Sequence, residues 1–195
     1  MQLSIELKCK SPEAWLNCVM ENFDDFLLDH ADCERKASSM AMSFVAKYPD
    51  RTDIIPELIE TALEELEHFR DVYALILKRG GKLKAEMDED PYIKQMLAFC
   101  RTGRNERFLD RMLLASLFET RGAERFKLIW ERLPEDSDEK KFFHRLWASE
   151  AKHAHLFVKM ALGYFTEKEV YERLDAFATE ESRIIENLPI RAALH

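Results

Sequence analysis

The chain has 195 residues, with 29 Lys and Arg against 37 Asp and Glu, a net charge of −8 that argues against indiscriminate nucleic-acid binding. Its 5 Gly and 6 Pro are too few for a turn-rich β-sandwich or barrel. No glycine-rich phosphate loop occurs, and no apolar run approaches the ~20 residues of a membrane span. The cysteines Cys9, Cys18, Cys33 and Cys100 form no Cys-x-x-Cys pair, which speaks against a zinc knuckle and for a reducing compartment. The N-terminal stretch has no secretory hydrophobic core, so a cytoplasmic protein is expected.

The breaks between elements are legible because punctuation is sparse. Ser11-Pro12 reads as an N-cap and first helical position for a short helix to about Met20. Asn22 is positioned to cap a second helix through Lys47, with Asp24 and Asp25 at its positive end. Tyr48-Pro49-Asp50 stops it. Asp53 starts the next helix, which carries Pro56 in its first turn and ends at Gly80-Gly81. Asp90-Pro91 opens a short helix that stops before Gly103, and Asn105 opens a long one to about Leu133. Ser137 or Asp138 begins the fourth long helix, which ends near Gly163. Thr166 and Glu169 form a capping box for a last helix to about Asn187. The expectation is an all-α chain of four long and three shorter helices, one domain over 1–195.

Acidic residues inside apolar stripes are the anomaly. Glu34 lies in line with Leu27, Ala31, Ala37, Ala41 and Val45; Glu65 with Leu58, Ala62, Phe69, Val72 and Ile76. Glu119 lies in line with Met112, Ala115, Ser116, Ala123, Phe126 and Trp130; Glu150 with Phe143, Leu146, Trp147, Ala154 and Phe157. His68 and His153 each follow a glutamate by three residues. Glu57, Glu60, Glu64, Glu67 and Asp71 form a separate acidic face, so Glu65 stands outside the solvated charge run. The spacings agree: Glu34 to Glu65 and Glu119 to Glu150 are both 31 residues. In an antiparallel hairpin, facing residues lie equally far from the turn. The midpoints fall at Pro49-Asp50 and Pro134-Glu135, where turns are expected. Two helical hairpins, each supplying Glu plus Glu-x-x-His, make the carboxylate-bridged dinuclear site of a ferritin-like four-helix bundle. Four carboxylates balance two divalent ions, and each ion receives an imidazole. Uncompensated, the same groups would each cost several kcal/mol to bury. His30, one turn before Glu34, is placed to support it. His144 and His155 read as surface or ordinary packing residues, and Glu124, beside Thr120, Arg121 and Lys127, as part of a salt-bridged polar face.

The stretches LLDHADCERKAS (27–38), LFETRGAERF (117–126) and WASEAKHAHLF (147–157) resemble the tRNA hydroxylases that act on 2-methylthio-isopentenyl-adenosine beside the anticodon. The resemblance spans nearly the whole chain, and Glu119 to Phe126 is its most specific part. The family more often has Ser-Cys where this chain has Gly122-Ala123, small residues in either case. The resemblance implies a non-haem diiron monooxygenase with Glu34, Glu65, His68, Glu119, Glu150 and His153 as ligands and catalytic centre. It implies two Fe ions, O2 as cosubstrate and an electron-donor protein, a ferredoxin or flavin reductase. The allylic methyl of the isopentenyl group would be hydroxylated.

A tRNA anticodon stem-loop fits the charge map. Residues 101–127 carry seven basic and four acidic side chains, and the Lys78–Lys84 turn has no acid. Lys78, Arg79, Lys82, Lys84, Arg101, Arg104, Arg107 and Arg111 are the candidate phosphate contacts, and Phe69, Phe126 and Trp147 candidate pocket walls. A ferritin-like ferroxidase or iron-binding protein is the competing reading. It predicts a cage of many copies, whereas the hydroxylase reading expects a monomer or dimer.

Overall fold

The computed structural model describes residues 6–86 and 89–195. All regular structure among them is helical: α1 (Glu13–Glu21), α2 (Phe23–Lys47), α3 (Ile55–Lys78), α4 (Pro91–Ala98), α5 (Arg104–Arg132), α6 (Asp138–Leu162) and α7 (Glu167–Asn187), with a 3-10 turn at Thr52–Ile54. No helix among the described residues is long and apolar enough to cross a membrane. The chain divides into two compact units.

One unit comprises Asn17–Asp88 with Arg191–Leu194, and is built on the α2–α3 hairpin. Phe26, Leu27, Ala31, Ala41 and Phe44 on α2 are buried with Leu58, Ala62, Val72 and Ile76 on α3. Each large side chain among them is worth about 1.5–3 kcal/mol when removed from water. The Ser38 hydroxyl donates to the Ala62 carbonyl at 2.8 Å and ties the two helices together at mid-length. Pro56 sits in the first turn of α3, where its missing N–H has no partner to lose. At the other end Gly80 adopts φ +79°. Gly81 N–H donates to Ile76 O at 2.9 Å and Gly80 N–H to Leu77 O at 3.0 Å, a Schellman closure that needs the left-handed glycine.

The other unit comprises the N-terminal segment up to Leu16, Glu89–Ile190 and His195. Its frame is the α5–α6 hairpin, against which α7 packs, with α4 against α7. Phe108, Met112, Leu113, Phe126, Ile129, Phe143, Phe157, Val170 and Phe177 form its core. Side chains start three of the helices. Asp90 accepts from Tyr92 N–H and Ile93 N–H for α4, and Ser137 from Lys140 N–H for α6. Thr166 and Glu169 exchange hydrogen bonds as a capping box for α7.

Three expected starts are corrected. Asn22 makes no side-chain cap, because its amide donates back to the Cys18 carbonyl at 2.9 Å. The extended Gly103 is the cap of α5, its carbonyl accepting from Arg107 N–H at 2.7 Å, so the helix begins at Arg104 rather than after Asn105. Ser11 leaves α1 to start at Glu13 and turns its hydroxyl to Glu124 on α5, 2.7 Å away.

Candidate metal centre

The helix phase that buries α2 and α3 against each other also buries two acids. Glu34 is 4% exposed and Glu65 1%, while Glu60, Glu64 and Glu67 stay on the exposed side of α3. His68 Nδ1 lies 3.4 Å from Glu65 Oε2 and 3.8 Å from Glu34 Oε2. These three residues each offer a ligand atom within 4.8 Å of the others. His30, fully buried, places Nε2 2.5 Å from Glu34 Oε1. It therefore holds one oxygen of the carboxylate and leaves the other directed at the His68 side. A ligand carboxylate oriented by an outer hydrogen bond is the usual support of a metal site.

The α5–α6 hairpin repeats the arrangement. Glu119, Glu150 and His153 are 7%, 3% and 3% exposed. They too offer ligand atoms within 4.8 Å of one another, and His153 Nδ1 is 3.6 Å from Glu150 Oε2. The register is held by the Ser116 hydroxyl, which donates to the Ala154 carbonyl at 2.6 Å, one turn from both Glu119 and Glu150. Each triad thus presents two buried carboxylates and one imidazole, buried for His153 and half-buried for His68. Hard oxygen donors with one imidazole suit a first-row divalent ion such as Fe2+. Four carboxylates over the two triads carry the charge that two such ions neutralise. The ferritin-like fold and these buried Glu/His groups suit a diiron site.

Glu124 is salt-bridged as expected, with Arg121 as its partner. It is half-buried and accepts from Ser11 N–H at 2.8 Å, Ser11 Oγ at 2.7 Å and Arg121 Nη1 at 3.1 Å. Arg121 is fully buried and makes a paired contact to Glu181 on α7, Nε to Oε1 at 2.8 Å and Nη2 to Oε2 at 3.0 Å. Burial opposes the Arg121 charge, but Glu181 and Glu124 overcome it and raise its pKa. Its neighbour Arg125 lies over the Trp15 ring, and burial lowers its pKa to about 10. Glu181 was not singled out by sequence, although it lies in line with Val170, Leu174, Phe177 and Ile184. The same stripe signal finds it. A Cβ at Gly122 would meet only the Phe126 ring, at 4.0 Å, so there is room for a side-chain carbon there.

The candidate phosphate contacts fall into two groups. Arg101 is committed to buried Asp110, Nη2 to Oδ1 at 2.7 Å, and Arg173 shares that carboxylate at 2.8 Å. Arg79 pairs with Asp24 and covers the Phe23 ring. Lys78, Lys82, Lys84, Arg104 and Arg107 are exposed, and Arg111 is half-buried. Of the aromatic candidates, Phe126 is buried packing against Phe143 at 5.7 Å, and Phe69 stacks on Tyr73 at 6.1 Å. Trp147 is half-buried against Trp130 and His144.

Comparison with known proteins places these features in context. The family model described as tRNA-(MS[2]IO[6]A)-hydroxylase (MiaE) matches residues 2–195. A tRNA 2-(methylsulfanyl)-N(6)-isopentenyladenosine(37) hydroxylase of Pseudomonas putida is 29% identical over 93% of this chain and 87% of its own length. The protein of the same description from Salmonella typhimurium is 25% identical over 92% of this chain and 83% of its own. A solved structure, protein 43 with aldehyde deformylating oxygenase activity from Synechococcus, superposes with a TM-score of 0.90 at 31% identity, covering 96% of this chain and 93% of that one. The fold is all-α and ferritin-like.

Proposed function

The chain belongs to the tRNA-(MS[2]IO[6]A)-hydroxylase (MiaE) family, and on that premise we propose that it is an oxygen-dependent diiron monooxygenase. Its substrate is 2-methylthio-isopentenyl-adenosine beside the anticodon of tRNA, hydroxylated on the isopentenyl group. The observation that carries this reading is the duplicated triad, Glu34, Glu65 and His68 on one hairpin and Glu119, Glu150 and His153 on the other, buried except for the half-buried His68. Each triad holds one iron ion, and the chain works as one diiron domain over 1–195. When bound, the iron pair supplies activation of O2. The protein's own part is to hold the ligand set, with His30 fixing Glu34 and the Ser116 and Ser38 hydroxyls fixing the hairpin registers. The apolar side chains along the same stripes keep bulk water from the reacting methyl group. Two electrons per turnover come from a donor protein, a ferredoxin or flavin reductase. The enzyme acts in the cytoplasm, as a monomer or dimer.

Anaerobic reconstitution with Fe2+ should give about two iron ions per chain and raise thermal stability, since a ligand that binds only the folded state stabilises it. Nucleoside analysis of tRNA from cells with and without the gene should show the hydroxylated nucleoside only when the gene is present. Unhydroxylated nucleoside in both strains overturns the reading. Iron oxidation with cage-sized assemblies would instead support the ferroxidase. An aldehyde offered to the iron-loaded protein tests the activity named for the Synechococcus structure.

A further inference from the structure

At the turn end of the α5–α6 hairpin lies a groove of about 370 Å3 lined by Trp130, Glu135, Lys140, Lys141, His144 and Arg145. Its volume falls in the range of about 300–1,000 Å3 typical of small-ligand sites. Its floor is aromatic. His144 meets Trp130 edge-on at 5.2 Å, Trp147 lies 5.9 Å behind Trp130, and Lys140 Nζ stands 5.6 Å from the Trp130 ring. The Trp130 Nε1–H is buried and has no acceptor among the described residues. An indole N–H held from water without an acceptor is uncommon, because the lost hydrogen bond costs about 1–3 kcal/mol.

The rim is cationic. Lys140 is anchored by the Leu133 carbonyl at 3.2 Å and Glu135 at 2.8 Å. Lys141 and Arg145, one turn apart on the exposed side of α6, make no ion pair among the described residues. This contrasts with Arg101 and Arg79, each paired with an aspartate. In a chain of net charge −8, two unopposed cations beside an aromatic surface and an unsatisfied donor are the features that an anionic, planar ligand requires.

We infer that this groove binds a nucleotide of single-stranded RNA other than the one modified. Its base stacks against the Trp130 and His144 cluster, with an acceptor toward Trp130 Nε1, and its phosphate contacts Lys141 and Arg145. Stacking on aromatic side chains together with phosphate contacts is how unstacked loop bases are held. The position fits a loop already engaged nearby. Lys141 and Arg145 precede Glu150 by nine and five residues on the same helix, about 14 and 8 Å at 1.5 Å per residue. A nucleotide in the groove therefore lies within a short stretch of loop from one presented to Glu150. An acidic electron-donor protein would also favour the cations. A concave aromatic floor suits a base rather than a protein surface.

The inference rests on the tRNA reading, and its test separates the two. Iron-loaded full-length protein is titrated against an anticodon stem-loop RNA over a range of salt concentrations. Lys141→Ala with Arg145→Ala should weaken binding about tenfold at low salt and lower the salt slope by about 1.4, two contacts at about 0.7 each for single strands. Iron per chain and the thermal midpoint should stay as in the wild type. Trp130→Phe, which keeps an aromatic ring, shrinks the stacking surface and removes the donor, should weaken binding about threefold without changing the slope. Wild-type affinity and slope in the double variant overturn the inference, as does a defect confined to reduction by the donor protein. Failure of the wild type to hydroxylate either modified tRNA or the free modified nucleoside would instead overturn the tRNA reading.

Discussion

Glu119 and Glu124 are five residues apart on α5 and are expected to answer substitution in opposite ways. Five residues at 100° each leave the two side chains about 140° apart around the helix, and the structure gives each a different task. Glu119→Ala removes a buried carboxylate from the metal triad. The apoprotein should be as stable as wild type or more so, because a charge that is costly to bury has gone. Iron should fall well below two per chain, and the stabilisation by Fe2+, about 2.7 kcal/mol for an ion at 100 times its Kd, should shrink accordingly. Glu124→Ala removes the acceptor of Ser11 N–H, Ser11 Oγ and Arg121 Nη1. Hydrogen bonds to a charged group are worth about 1.5–3 kcal/mol each, but the N-terminal segment can move to water and Arg121 keeps Glu181. A net loss of about 2–3 kcal/mol is therefore expected, a fall of roughly 4–12 °C in Tm for a chain of this size. Iron loading should be retained. The assay is iron per chain with the thermal midpoint of apo and loaded protein, for both variants. If Glu124→Ala loses iron while Glu119→Ala keeps it, the helix phase assigned to α5, and the triad built on it, are wrong.

His30→Phe should keep the fold but weaken iron binding about 10–100-fold, because Glu34 loses its orienting hydrogen bond; unchanged affinity in a competitive chelator titration would refute that role. Burial pushes the Asp110 carboxyl up, but the Arg173 and Arg101 guanidiniums overcome this and hold its pKa below the ordinary value. Its contribution is thus present above the unfolded pKa near 4 and lost as pH falls through the folded value. Asp110→Asn should lower stability at pH 7 and flatten the acid limb of stability against pH, and an acid limb like that of the wild type would contradict the assignment. Burial lowers the His195 pKa to about 4, where the ring stacks on Tyr92 at 5.3 Å. The unfolded chain then binds the proton first, so stability falls as pH drops from about 6.5 toward 4. His195→Phe should reduce that fall in denaturant titrations at pH 6.5 and 4.5; an equal fall in both proteins would rule the histidine out.

The metal-type acids were legible in the amino-acid order because they depend on one helix at a time. A period of 3.6 residues fixes which side of a helix a glutamate shares with its apolar neighbours. Equal distances from Pro49-Asp50 and Pro134-Glu135 fix its level in a hairpin. The Thr166 and Glu169 box is likewise local and is formed as expected. The fate of the other buried charges was decided by packing. Glu181 lies in an apolar stripe just as Glu65 does, yet it serves Arg121, 60 positions away in sequence. Arg101 reads as a free cation until Asp110 and Arg173 are brought beside it. Ser11 looks like a helix cap until α5 offers Glu124. Periodicity reports how a side chain faces its own helix axis. Whether the group it meets there is a carboxylate, a guanidinium or a groove such as that at Trp130 depends on which distant segments pack together, and only the tertiary structure supplies that.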